Sequence, residues 1–343
     1  MAIADLKRQF SDLFDRIGPD PLPPRYPLVS IEFAPDRVTA VRMGAIGKSG
    51  RMKLDAIQSR PIPDGAIEVS LTKPNILDTG AVSAAVKEVL HQLDSRDHRI
   101  SVLLPDDVAR VALLGFATLP KTRRELTELV RFRMAKSLPF KPEEAEMDLM
   151  ILNGGTARPG ASAATVLASF VHSDVVEQYE GLIADCGYWP GLVSLSTFEL
   201  YNLFRPRFAE RKLPDKDSLV LNVTRHYLSV LILRDTDVIF YRCKPHVSAA
   251  AGSDPLADVR REVYTSLAFY QEKLLGRGIG RVFLRSVSLP LDGIREAVSA
   301  EAGGELEVLD PLPLLPQNGG PFLGSEDAAV AAPALGAILG RRP

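Results

Sequence analysis

The chain has 343 residues, longer than one hydrophobic core usually serves, so at least two folding units are expected. Hydrophobic residues make up 46% and charged residues 24%, and 41 lysines and arginines balance 43 aspartates and glutamates, so the composition is globular and has no basic excess for nucleic acid. Cys186 and Cys243 lack a cysteine or histidine at ligand spacing, which argues for reduced thiols, and no apolar run approaches the ~20 residues needed to cross a bilayer.

Residues 2–17 space Ile3, Leu6, Phe10, Leu13, Phe14 and Ile17 at threes and fours, the stripe of an amphipathic helix. Gly18 and Pro19 stop it, and a proline-rich stretch over 21–27 reads as an extended tether. Its polar face mixes acids and bases, unlike a lipid-binding helix, so the stripe docks on the protein's own body or on a partner. Short β runs follow at 29–33, 38–43 and 52–57. Gly47-Lys48-Ser49, between the last two, lacks the glycine a P-loop needs five positions earlier, where Arg42 stands; strand, not helix, follows, so a hairpin turn is expected.

A helix over 79–93 and a strand over 99–104 close the first unit at Pro105. The apolar run 113–120 ends in Leu119-Pro120, and Thr122-x-x-Glu125 is a capping box opening a helix with Leu126, Leu129, Val130 and Leu138 on one face. After Pro139, the acidic residues Glu143, Glu144 and Glu146 lead into a strand over 147–152 and a Gly/Ala-rich hairpin loop over 153–164. A strand over 165–170, a helix over 173–186, a turn at 187–190 and a helix over 196–204 come next; Trp189 in that turn is expected to pack between subdomains. A second meander occupies 219–222, 228–234 and 238–242. The helix 256–275 follows, with Val259, Val263, Leu267, Tyr270 and Leu274 inward, then a strand over 281–284. The histidines at 91, 98, 172, 226 and 246 are scattered, so no metal site is expected, and no nucleophile elbow occurs.

Particular segments carry a resemblance. Leu119-Pro120, Glu125-Leu126, Leu138-Pro139-Phe140 and the acidic run into Met147-Asp148-Leu149 resemble the small subdomain inserted in the PilM family of type IV pilus assembly proteins and its cell-division relative FtsA. The stretch 166–187, the helix segment 262–270 with Ser266-Leu267-Ala268-Phe269-Tyr270, and the C-terminal 328–341 are similar to later elements of that family. The resemblance implies an α/β, mixed-sheet, duplicated actin-like (RNase H-like) fold with a small inserted α+β subdomain. Its expected divisions are a helix and tether (1–27), a first domain (28–105 and 186–217), the insert (106–185), a second domain (218–317) and a closing helix (318–343) returning to the first.

In that superfamily nucleotide sits between the halves, and three loops here depart from the pattern. In the first hairpin Glu32 stands for the aspartate, Ala34 for the glycine and Thr39 for the usual lysine; Pro35 has no N–H to donate, and Asp36 would repel a phosphate by on the order of 4 kcal/mol at ~4 Å. The second loop, Asn222 to Tyr227 with Thr224 inside it, has no carboxylate or glycine, and Arg285-Ser286-Val287-Ser288 replaces a glycine pair beneath the adenine. The expectation is a pseudo-ATPase without bound ATP or magnesium and with no catalytic residue. The resemblance further implies a cytoplasmic scaffold, held at the inner membrane by binding the N-terminal tail of a PilN-like protein and coupling to pilus motor ATPases. The tail would lie along Leu119, Pro120, Leu126, Val130, Phe132 and Phe140, unless these residues form the insert's own core. The alternatives are an active ATPase of the same machine and the cytoplasmic part of a type II secretion scaffold.

Overall fold

The computed structural model describes residues 26–44, 52–152, 164–246, 254–287, 289–315 and 323–340. The N-terminal amphipathic stretch, the Gly47-Lys48-Ser49 turn and the Gly/Ala-rich loop expected over 153–164 lie outside these residues, apart from position 164.

Two five-stranded sheets share one topology. The first contains β1 (Val29–Ala34), β2 (Arg37–Met43), β3 (Leu54–Pro61), β4 (Arg99–Leu104) and β8 (Trp189–Leu195) in the order β3-β2-β1-β4-β8. The second contains β9 (Asp217–Val223), β10 (Tyr227–Arg234), β11 (Asp237–Pro245), β12 (Ile279–Ser286) and β13 (Glu305–Val308) in the order β11-β10-β9-β12-β13. In each, an antiparallel meander supplies three strands and two parallel strands extend it. Both faces of these sheets are covered, which is why β1, β9 and β10 are buried at nearly every position, polar residues such as Ser30, Glu32 and Asn222 included.

Alternate residues of each strand serve different layers. Val29, Ile31 and Phe33 of β1 face an outer core with α1 (Thr79–Leu93) and α3 (Ser173–Asp185), whereas Leu219, Leu221 and Val223 of β9 face an outer core with α5 (Pro255–Lys273) and α6 (Leu291–Ala302). Between the sheets lies a shared layer. There α4 (Ser196–Arg211) gives Leu200, Leu203, Phe204 and Phe208, and α7 (Ser325–Leu339) gives a run of alanines with Leu335 and Ile338, against Val41, Met43, Val220, Leu231 and Phe283 of the two sheets. Glycine permits this layer: a Cβ on Gly336 would stand 2.0 Å from the Glu199 carbonyl oxygen, so the two helices cross almost backbone to backbone.

A third, three-stranded sheet is inserted after β4: β5 (Ala109–Phe116), β6 (Ala145–Leu152) and β7 (Ala164–His172), ordered β5-β7-β6, under α2 (Arg123–Met134). The capping box at the start of α2 forms as expected: the Glu125 N–H donates to Thr122 Oγ1 and the Thr122 N–H to the Glu125 carboxylate. Three expectations are corrected here. The helix α3, placed with the insert, packs Val175, Tyr179, Leu182 and Ile183 into the first sheet's outer core instead, because its apolar stripe matches that sheet. The segment read as a turn at 187–190 leads into β8, which Pro190 and Gly191 disguise; a proline is tolerated there because β8 is an edge strand. Trp189, expected between subdomains, is 73% exposed.

Candidate functional site

The two meanders bring their first hairpins face to face. Pro35 and Asp36 form the tight β1–β2 turn, with Ala34 paired to Arg37, and the β9–β10 loop is closed by Thr224, whose Oγ1 accepts from the N–H groups of His226 and Tyr227. Glu32, Ala34, Asp36, Thr39 and Thr224 therefore line one cleft, together with Arg37, Arg225, His226, Tyr227 and Arg285. The cavity left inside it is about 30 Å³, room for only a few water molecules. Ser286 is committed to its own loop, its hydroxyl donating to the Leu289 carbonyl at 3.1 Å.

Arg285 lines the cleft from the second sheet. Only 3% exposed, its guanidinium donates to the carbonyls of Ala329 (2.7 Å) and Val330 (3.0 Å) in α7 and to Asn222 Oδ1 (2.7 Å). Asn222 in turn donates to Thr197 Oγ1 at 2.7 Å, so this asparagine is fully buried and internally satisfied. Asp106, immediately after β4, accepts from the Thr197 N–H at 2.9 Å and from the Ser229 hydroxyl, linking the first half to β10 of the second. Burial pushes the carboxyls of Glu32 and Asp106 above the usual range, while the Arg285 charge and hydroxyl donors pull against it. The site thus holds a buried cation tied to the backbone of α7, close enough to two buried carboxyl groups for its charge to act on both.

A second link crosses the cleft near the surface. Asp36 is paired with Arg37 (3.0 Å) and lies 3.6 Å from His226 Nε2 of the opposite hairpin. Burial works against ionisation, but the nearby His226 and the hydrogen bonds and charge of Arg37 win and hold the Asp36 carboxyl well below its ordinary range. Asp107 is its opposite: burial, reinforced by the Asp106 charge, raises it to about 7, and its Oδ1 is buried without a hydrogen-bond partner. Sequence reasoning passed over Asp106, Asp107, Ser196, Thr197 and Ser229. The overlooked signal was a pair of carboxylates directly after a parallel strand's carboxyl end, the position where open α/β sheets present their clefts.

The inserted subdomain resolves the other candidate set. Leu126, Val130 and Phe140 lie in its core with Met134, Phe116 and Phe170, and Leu119 packs partly against it. These three side chains face inward, so the expected exposed strip reduces to the partly exposed Leu119 and Pro120 and to Phe132, which is 80% exposed. Among the described residues no group of three histidine, cysteine, aspartate or glutamate side chains could hold a metal ion, and no helix is long and apolar enough to cross a membrane.

Comparison with known proteins gives these features a family. The model of the family described as type IV pilus assembly protein PilM matches residues 31–250. Among solved structures, the PilM-PilN type IV pilus biogenesis complex aligns with a TM-score of 0.74 at 19% identity, over 94% of this chain and 100% of that one. The cytoplasmic domain of EpsL, an inner membrane component of the type II secretion system of Vibrio cholerae, aligns more weakly (TM-score 0.45, 11% identity, 89% of this chain and 93% of that chain). So does the ethanolamine utilization protein EutJ from Carboxydothermus hydrogenoformans (TM-score 0.45, 12% identity, 98% of each). A search of individually curated proteins found no match. With paired sheets of identical topology in an actin-like arrangement, and a family match over most of its length, the chain belongs to the type IV pilus assembly protein PilM family.

Proposed function

We propose that this protein is a non-hydrolysing cytoplasmic scaffold of type IV pilus assembly that binds the N-terminal tail of a PilN-like inner-membrane protein through its inserted subdomain. The observation supporting this reading is Arg285: its buried guanidinium lines the cleft between the two hairpins, with about 30 Å³ of cavity left there, and is committed to the α7 backbone and Asn222. Glu32 and Asp106 are buried beside that arginine: burial raises both carboxyls, and its charge pulls them back down. The link between the halves that phosphate and magnesium would provide is supplied by side chains, and surface recognition is left as the protein's work. The fold shared with a PilM-PilN complex supports a PilN-like partner, and membrane attachment would come through that partner.

Two measurements test this. Calorimetric titration with ATP and magnesium should give no heat of binding, and a synthetic PilN tail should bind with equal affinity with and without nucleotide. Tight ATP binding, or a tail affinity that depends on it, would overturn the proposal. Phe132→Ala should weaken tail capture while leaving the melting temperature within about 2 °C, because an exposed side chain contributes little to folding.

A further inference from the structure

The route by which the chain enters its first strand leads to an exposed tryptophan. β4 separates β1 from β8 in the first sheet, so a chain running straight into β1 would stay about 10 Å from β8. It does not do so. A Cβ placed on Gly191 of β8 would stand 3.0 Å from Pro27 Cγ and 3.2 Å from the Arg99 guanidinium, so Pro27 lies beside Arg99 at the start of β4 and against β8. Followed backwards from Val29, the polypeptide therefore crosses β4 and arrives at the outer strand of the sheet.

Trp189 opens β8 and is 73% exposed, although tryptophan is on average among the more buried residues. Tyr188 and Leu192 near it are half-buried, and no strand among the described residues pairs with the outer side of β8. Natural sheets commonly cover such an edge with a helix or loop. Trp189 stands at the amino end of the parallel strands, opposite the cleft, since Asp106 follows the carboxyl end of β4.

We propose that residues 3–17 of the same chain dock on this edge as a helix, with their apolar stripe over Trp189. Wound as an α-helix, Ile3, Leu6, Phe10, Leu13, Phe14 and Ile17 fall within an arc of about 100°, while Asp5, Asp12 and Arg16 point the other way. A stripe with two phenylalanines suits an indole and the half-buried side chains around it. The length of the connection selects this occupant over a second copy. Residues 18–25 reach at most about 26–29 Å when extended, and Pro27 already touches β8. So short a tether holds the stripe beside Trp189 at an effective concentration on the order of millimolar, whereas another molecule must arrive from solution. The docked segment covers the edge of the first sheet and leaves the cleft at the other end untouched, so the proposal does not depend on the adaptor reading.

Trp189 is the only tryptophan in the chain, so its fluorescence in the full-length protein reports on this contact alone. Phe10→Asp with Leu13→Asp should shift its emission to the red and raise its quenching by acrylamide about twofold or more, because the uncovered indole is largely in solvent. In the other direction, Trp189→Ser should speed amide hydrogen exchange over residues 3–17 about tenfold or more while leaving β1 and β4 unchanged. Both effects should be independent of protein concentration. Equal quenching in the double variant and the unaltered chain, or amides at 3–17 that exchange as fast in the unaltered chain as in Trp189→Ser, overturns the docking. Protection that fades on dilution, in step with loss of a dimer in sedimentation, assigns the stripe to a second copy and overturns it as well.

Discussion

Arg285→Met is the most informative single change. It keeps the length and apolar stem of the side chain but removes the guanidinium that donates to Ala329, Val330 and Asn222. It also leaves Glu32 and Asp106, both buried, without the positive charge that offsets their desolvation. A buried acceptor left without its donor costs about 1–3 kcal/mol, and Asn222 and the two α7 carbonyls all lose theirs. The cost depends on pH in a stated direction. Without Arg285 the folded-state pKa values of Glu32 and Asp106 rise further above their unfolded values, so the folded form of the variant holds protons that the unfolded chain releases. Its stability relative to the parent therefore falls only as pH rises through the parent's own raised folded-state pKa values, and recovers below them, where both carboxyls are protonated in either chain. Urea unfolding at about pH 5 and about pH 8 reads both effects. A loss under about 1 kcal/mol at the higher pH, or one equal at both, would refute the claim that this arginine neutralises the cleft.

Other consequences are as direct. Asp107 is raised from 3.8 to about 7, so its proton stays on in the folded state while the unfolded chain loses it; its contribution to stability declines from about pH 4 to about pH 7 and is then flat. Asp107→Asn should remove that slope and stabilise the protein at about pH 8 by up to roughly 4 kcal/mol, and an unchanged pH profile would count against it. Gly336→Ala should cost about 3 kcal/mol or more, because the added methyl meets the Glu199 carbonyl and forces α4 and α7 apart. Leu275 holds a left-handed backbone (φ 52°) while 66% exposed, and the other non-glycine residues in that region are all aspartates. Leu275→Asn should therefore raise stability by about 0.5–1 kcal/mol, measured as a shift in urea midpoint.

Periodicity alone was enough for the elements whose faces differ. The capping box before α2, the α5 stripe through Val259, Val263 and Tyr270, and both meanders were legible because one helical stripe or one apolar strand identifies them locally. β8 was not, since Pro190 and Gly191 signal a turn and only its place at a sheet edge lets them stay. Nor were α6 and β13, whose weak patterns gain meaning from the second sheet they complete.

The same division holds for the site. The three altered loops could be read one by one from Glu32, Pro35, Asn222 and Arg285, because backbone donors and charges are properties of individual residues. What occupies the cleft could not be read that way: Arg285 meets Asn222 63 positions away and α7 more than 40 positions on, and Asp106 meets Ser229 across 123 positions. Likewise Leu126, Val130, Phe132 and Phe140 are equally apolar as letters. Only the packing of α2 on its sheet buries three and leaves Phe132 in solvent, since burial belongs to the assembled surface and not to the side chain.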